Sequence, residues 1–393
     1  MSEKKINFID LFCGAGGLSK GLIKAGMNCL VGIDHLKPAI ETFTANHPKS
    51  ISICDDLRTI KTNEVKKLIG KQKVHLICGG PPCQGFSTIG PGNKDDSRNH
   101  LFLEFVRFVK DFKPNVVLIE NVTGLLAKKN IETLESIFLC FEKLGYHLSI
   151  KVLSAEEYGV AQIRRRVCII GNNLKTENLF PIPKYGTQDN SKKLQVPRNV
   201  KWAFENLLKH KDNFHNHDKD AAYIKKNIEK ERIGHVPEGK YIRYERDEKK
   251  YLPKELWFDH DWNKISEKRF REARYYRLNR KKPSPTIVTG SRMYYHPTED
   301  RYLTVREAAA IQSFPANFKF YGSIGRQWTQ IGNAVPPVLG YEIGKAILKM
   351  FKGKKVKVKK RTRNQLEIIR STAFKYVYKR SSSNFKKNQL ELF

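Results

Sequence analysis

The first 180 residues alternate short apolar runs with stretches of helical periodicity. Residues 6–12, 29–34, 51–54, 74–79, 116–120, 150–153 and 167–171 read as buried strands. Residues 18–26, 38–46, 63–70, 100–112 and 131–144 place apolar side chains three and four apart, as an amphipathic helix does. Strands of continuous apolar character, separated by helices, predict an α/β fold with a mostly parallel sheet covered on both faces.

Past residue 180 the pattern dissolves. Residues 181–285 are rich in Lys, Arg, His and aromatics, with scattered Pro and Gly, and predict a second, smaller and irregular domain. Periodicity returns at 304–313, a helix whose N-cap is Thr304 ahead of Glu307. A last apolar helix is expected from Pro336-Pro337 to about Met350. Residues 351–393 form a basic tail, either a nonspecific polyanion contact or a solvated end.

Charge narrows the partners. The chain carries 73 Lys and Arg against 40 Asp and Glu, a net +33. The tail holds 14 basic and 2 acidic residues, so +21 stays on the first 350 and the body is basic in its own right. That excess points to a polyanion. No run of 18 apolar residues exists to span a membrane, and the first dozen residues do not form a secretory signal. Seven scattered cysteines without a CxxC pair argue for a reducing, cytoplasmic setting and against zinc; His215 and His217 read as surface residues.

Four places could carry chemistry. Asp10-Leu11-Phe12-Cys13-Gly14-Ala15-Gly16-Gly17 is a strand entering a Gly-rich turn that lets backbone approach a ligand. The dinucleotide spacing G-x-G-x-x-G fails because position 19 is Ser, so on these residues alone a plain strand-to-helix turn fits equally. Asp34 and Asp56 end the next two strands, at the sheet edge where ligands bind, and suit a ribose hydroxyl and an exocyclic amine. Gly79-Gly80-Pro81-Pro82-Cys83 presents one thiol on a loop stiffened by two prolines, so Cys83 reads as a nucleophile. Cys29, Cys54, Cys78, Cys140 and Cys168 read as inert packing. Glu120 follows the apolar run VVLI, where burial favours a proton-donating carboxyl. Gln162, Arg164 and Arg166 alternate along an extended segment and share a face that suits an anionic or carbonyl-bearing substrate, or a phosphate.

In order and spacing these sites resemble the DNA (cytosine-5-)-methyltransferases. DLFCGAGG is similar to their cofactor loop, PPCQGFS to their catalytic loop, and ENV and Gln162-x-Arg164-x-Arg166 to two substrate motifs. KPSPTI (282–287), LTVREAAAIQSFP (303–315) and QIGNAVPP (330–337) continue the match, which covers 6–172 and 277–348. Asp55 stands where many members have Gly.

The resemblance implies a Rossmann-like S-adenosylmethionine-dependent domain over 1–180, completed by 326–350, with a target-recognition domain over 181–325. It implies cofactor contacts from Phe12, Gly14, Ala15, Gly16, Gly17, Asp34, Asp56, Leu57, Pro81, Leu101, Asn333 and Val335. Cys83 is then the nucleophile toward cytosine C6, Glu120 a donor to N3, and Arg166 with Arg164 holds O2 and the adjoining phosphate. Gln84, Ser87, Gln162, Arg243, Arg271 and Arg274 become candidate contacts to double-stranded DNA. The same resemblance suggests a monomeric enzyme, either the modification half of a restriction–modification pair with a cognate endonuclease or a stand-alone methyltransferase. A tRNA cytosine methyltransferase and an idle DNA-binding scaffold are the competing readings; the large basic region and the intact Cys83, Glu120 and Arg166 weigh against them.

Overall fold

The computed structural model describes residues 5–81, 97–186, 194–210, 214–259, 261–262, 275–290, 293–356, 367–368 and 370–372. Its centre is a seven-stranded sheet of order β3-β2-β1-β4-β5-β7-β6. The strands are β1 (Asn7–Leu11), β2 (Asn28–Asp34), β3 (Ile51–Cys54), β4 (Leu76–Gly79), β5 (Val116–Val122), β6 (His147–Ser154) and β7 (Arg165–Asn172). Five helices interleave with the first six strands: α1 (Gly17–Lys24), α2 (Lys37–Asn46), α3 (Thr62–Ile69), α4 (Ser97–Phe112) and α5 (Ile131–Lys143). Strands β1 to β5 pair in parallel, while β7 inserts antiparallel between β5 and β6.

Period-two alternation divides the central strands between two cores. In β5, Val117 and Ile119 join Ile9, Ile33, Phe105 and Phe141 on one face. Val116 and Leu118 join Phe8, Leu76, Cys78 and Cys168 on the other. Cys29, Cys78 and Cys168 are thus packing residues, as their apolar runs implied. Cys54 is exposed and Cys140 half-buried, because each lies where its element meets solvent.

The second half adds α6 (Val200–Leu208), α7 (Asn227–His235), α8 (Glu245–Tyr251), α9 (Val305–Ile311), α10 (Ile324–Asn333) and α11 (Pro337–Met350). Helix α11 lies on α1 and enters the second core through Leu339, Ile343 and Ile347. The approach is close: a Cβ on Gly21 would sit 2.4 Å from the Pro337 carbonyl. At α9, Thr304 Oγ1 accepts from the Glu307 amide (3.1 Å) and Glu307 returns a bond to the Thr304 amide (2.8 Å), a complete capping box. A third apolar cluster unites Ala15 and Ala161 with Leu278, Ile287, Ile311, Trp328 and Ile331, across the boundary drawn at residue 325. A fourth, around Ile224, Ile233, Ile242 and Leu256, stands by itself in the region after residue 181.

The described parts of the tail are anchored at two points. The Val356 amide donates to Lys175 O at 2.7 Å. Further on, buried Arg370 donates to Leu126 O at 3.0 Å, in the 3-10 turn that follows β5. No helix among the described residues is long and apolar enough to cross a membrane.

Candidate active site

A cavity of about 600 Å³ opens at the carboxyl ends of β1, β2, β4 and β5, within the usual range for small-molecule sites. Phe12, Gly14, Ala15, Gly17, Asp34, Asp56, Leu57, Pro81, Leu101, Asn333 and Val335 line it. The structure therefore brings together residues drawn from both ends of the chain. Gly16 lies just behind the wall with φ +84°; a Cβ there would meet the His47 ring at 2.4 Å. Gly17 faces α11's approach, where a Cβ would stand 2.4 Å from Val335 O. Phe12 itself takes φ +60°, a strained conformation for a non-glycine residue and a frequent mark of a ligand clamp.

Two carboxylates are held ready on the wall. Asp34 Oδ2 accepts from the Gly14 amide (2.9 Å) and Oδ1 from the Leu36 amide (3.0 Å), which fixes it against the Gly-rich turn and leaves lone pairs for hydroxyls. Asp56 is gripped by Arg58, whose Nε lies 2.9 Å from Oδ1 and Nη2 2.5 Å from Oδ2. That pairing brings the Asp56 carboxyl down to about 2. Arg107 on α4 adds a support that the sequence did not reveal: its Nη2 donates to the Leu57 and Ile60 carbonyls at 2.8 and 2.9 Å. Asp10, also unforeseen as a separate group, contributes a buried carboxyl to the same wall. Its signal was present, a lone acid in the apolar run FIDLF.

At the far end of the cavity stands Glu120. Antiparallel pairing sets Val122 opposite Arg166 and Glu120 opposite Cys168, so the start of β7 meets the end of β5. Arg166 Nε then lies 2.9 Å from Glu120 Oε1, with both side chains largely buried. Burial raises the Glu120 carboxyl, and the guanidinia of Arg166 and Arg164 partly counter it. The chain leading from β4 toward Cys83 passes directly beside this acid. A Cβ on Gly80 would lie 3.1 Å from Glu120 Oε2, and Asn121 Nδ2 donates to Pro81 O at 2.8 Å. Cys83, Gln84 and Ser87 lie outside the described residues, as do Arg271 and Arg274.

Two expectations need correction. Arg164 does not face the cavity. It is fully buried, and its Nη1 and Nη2 donate to the carbonyls of Ile287 (3.1 Å) and Gly332 (2.6 Å). Gln162, also fully buried, accepts from the Ile287 amide at 2.9 Å instead of facing solvent. The physical reason is a change of partner: residues 162–163 pair with Ser284, and the β5 ladder begins only at β7. Arg164 thus fixes the segment that carries Asn333. Arg243 is half-buried, with its guanidinium over the Tyr244 ring.

A Gly-rich turn after β1, an acid at the end of β2, and a cavity running to the ends of β4 and β5 define a nucleoside-cofactor site of the S-adenosylmethionine-dependent methyltransferases. The whole chain narrows this further. Residues 6–349 match the family model described as C-5 cytosine-specific DNA methylase, and the chain belongs to that family. The type II methyltransferase M1.HphI of Haemophilus parahaemolyticus is 36% identical over 349 residues, which cover 88% of this chain and 87% of that one. M.AgeI of Thalassovita gelatinovora is 30% identical, covering 86% and 98%. A prophage-encoded Escherichia coli protein described as a DNA modification methyltransferase superimposes with a TM-score of 0.66 at 25% identity, covering 88% and 100%. The protein is a DNA cytosine-5 methyltransferase that uses S-adenosylmethionine.

Proposed function

We propose that Cys83, Glu120 and Arg166 carry out the reaction on a cytosine flipped out of a specific double-stranded sequence. The observation that supports this most directly is the position of Gly80 and Pro81 beside the Glu120–Arg166 pair, two residues before Cys83. The bound cofactor supplies an electrophilic methyl group on a sulfonium. Cytosine C5 is too electron-poor to take that methyl unaided, and addition of the Cys83 thiolate at C6 makes it enamine-like. Glu120, whose carboxyl burial raises against the pull of Arg166 and Arg164, donates to N3 and offsets the charge that gathers there. Arg166 holds Glu120 and faces O2. Once C5 carries the methyl group, water takes its proton, the bonding pair restores the ring double bond as the Cys83–C6 bond breaks, and N3 returns its proton to Glu120. Flipping costs a few kcal/mol, which the basic body offsets through phosphate contacts.

Gly14, Gly17, Asp34 and Asp56 fit the cofactor: the turn leaves open space at Gly14, and both carboxylates are oriented as acceptors. The region over 181–325 reads the flanking bases, Arg243 among its contacts. The type II names of the relatives suggest protection of host DNA against a partner endonuclease cutting the same sequence. A monomer acting in the bacterial cytoplasm fits that role. The decisive test is Cys83→Ser with labelled cofactor and duplex DNA. Methyl incorporation is expected to vanish while DNA binding persists; retained incorporation would overturn the assignment.

A further inference from the structure

The family match ends at residue 349, and the basic tail lies beyond it. By its sequence the tail suits phosphate, since residues 351–363 hold eight Lys or Arg and no acid. Arg370 behaves otherwise. An arginine that waits for phosphate keeps its fork in solvent, whereas Arg370 is 6% exposed and its fork is engaged inside the protein. Nη1 donates to the Leu126 carbonyl at 3.0 Å, and Glu367 takes Nε at 3.0 Å together with Nη2.

What Arg370 holds is the turn behind the catalytic acid. Leu126 closes the 3-10 turn Thr123–Leu126, which follows Glu120, Asn121 and Val122 at the end of β5 with no residue between. Leu126 is fully buried, so its carbonyl needs a donor, and the tail brings one. The residues just before the turn are all tied into the site. Glu120 pairs with Arg166, Asn121 Nδ2 reaches Pro81 O at 2.8 Å, and Asn121 Oδ1 accepts from the Val122 amide at 2.9 Å. A shift of the turn is therefore passed to Glu120 and to the chain leading to Cys83. Misplacement of a reacting group by about 1 Å can cost on the order of 100-fold in rate. The tail's other anchor stands at the opposite end of the same strand pair. Asn172 of β7 lies opposite Val116 at the start of β5, and just beyond it Lys175 O accepts from the Val356 amide. The tail is thus fastened at both ends of the two strands that carry Glu120 and Arg166.

We propose, on the roles given to Cys83 and Glu120 above, that Arg370 is a positioning residue for methyl transfer. From the tail it fixes the turn after β5 and so keeps Glu120 and Asn121 in the geometry the reaction needs.

The test uses the full chain and duplex DNA in which 5-fluorocytosine replaces every cytosine. Fluorine in place of the C5 proton blocks the final elimination, so the Cys83 adduct accumulates and its rate of formation reads the chemistry apart from binding. At saturating DNA and S-adenosylmethionine, Arg370→Ala should form the adduct about tenfold more slowly, with the Kd for each ligand within about twofold of the wild-type value. Arg370→Lys keeps one donor for Leu126 O but loses the fork, and should recover part of the rate. Should the alanine variant fail to fold, Arg370→Lys carries the test alone: the adduct should form about threefold more slowly at unchanged affinities, and a wild-type rate would overturn the proposal. Lys360→Ala combined with Arg361→Ala removes tail charge without touching the anchor and should leave the adduct rate unchanged; a loss equal to that of Arg370→Ala would make charge the cause and overturn the proposal. Weaker DNA binding by Arg370→Ala at an unchanged adduct rate would make this arginine a phosphate contact, and a lowered urea midpoint with rate and affinities intact would make it merely structural; either overturns the proposal. No adduct from the wild-type chain would overturn the assignment of Cys83 itself.

Discussion

The sheet region and the region from 214 to 302 solve the same problem, satisfying buried polar groups, by opposite means. Around the sheet the backbone satisfies itself: seven strands exchange amides and carbonyls in ladders, and side chains are left to pack or to face the cavity. From 214 to 302 the described backbone holds only short helices and isolated bridges, so side chains take over. Arg277 donates to the carbonyls of Ile233, Val236, His296 and Glu299 and pairs with Asp300. Arg301 is clamped by Glu299 and Glu307, and Tyr295 and Tyr302 both donate to Glu229. A ladder tolerates many sequences on its surface, whereas a side-chain network depends on each member. The lesson is that one region can vary its exposed face freely, while the other can change only by replacing its internal ties.

The largest expected effect lies at the heart of the ladder. A Cβ on Gly79 would stand 2.0 Å from Leu11 O, with backbone on both sides and nothing able to give. Gly79→Ala should cost at least about 4 kcal/mol, seen as loss of a cooperative urea transition or of soluble protein. Next comes Arg277→Leu, which strands four carbonyls and Asp300. A loss of about 3–5 kcal/mol is expected, confined to the region it ties together. Calorimetry should then show S-adenosylmethionine binding intact and duplex DNA binding lost. If cofactor binding falls equally, the two regions share one stability and the contrast drawn above is broken.

The same contrast decides what could be read from the chain. Strands and helices up to residue 172 follow from periodicity, and the capping box at Thr304 from its spacing. What escaped was the direction of β7. Nothing local marks a strand as antiparallel, yet that direction is what sets Arg166 against Glu120. The alternation of Gln162, Arg164 and Arg166 was legible, but not that the first two turn to the 284–287 segment before the ladder begins. After residue 181 the ties are between side chains tens of residues apart, Arg277 with Ile233 or Tyr302 with Glu229, and a one-dimensional pattern carries no trace of them.

Acid should probe the two regions in parallel, because each buries a histidine that burial keeps neutral. His47 packs on Phe43 beneath the Gly-rich turn, and His296 stacks on Phe204 beside Glu307. Burial lowers both to about 4. Between the unfolded value near 6.5 and 4 the unfolded chain binds the extra proton, so stability is full above 6.5 and falls as pH drops through that window. The loss is about 3 kcal/mol for each histidine, on the order of 1.4 kcal/mol per pH unit. Urea midpoints at pH 7 and pH 4.5 measure it. His47→Gln should reduce the acid loss of the sheet region and His296→Gln that of the other. Equal effects of one substitution on both would again merge the regions.

The smallest effect tests the sheet side alone, at a place where a side chain rather than the ladder positions a group. Arg58 donates three bonds to Asp56, from its amide, Nε and Nη2. Four lone-pair positions on the carboxylate leave one for a ligand amine, so Arg58 orients Asp56 and does not displace the cofactor. Because the pair is exposed to solvent, Arg58→Ala should leave the urea midpoint unchanged. It should raise the KM for S-adenosylmethionine a few-fold by freeing the carboxylate to rotate, with kcat and the KM for DNA unaffected. Arg58→Lys, which keeps the charge but loses the fork, should recover only part of that affinity. Full recovery would mean that charge alone, and not orientation, is what Asp56 receives from its neighbour.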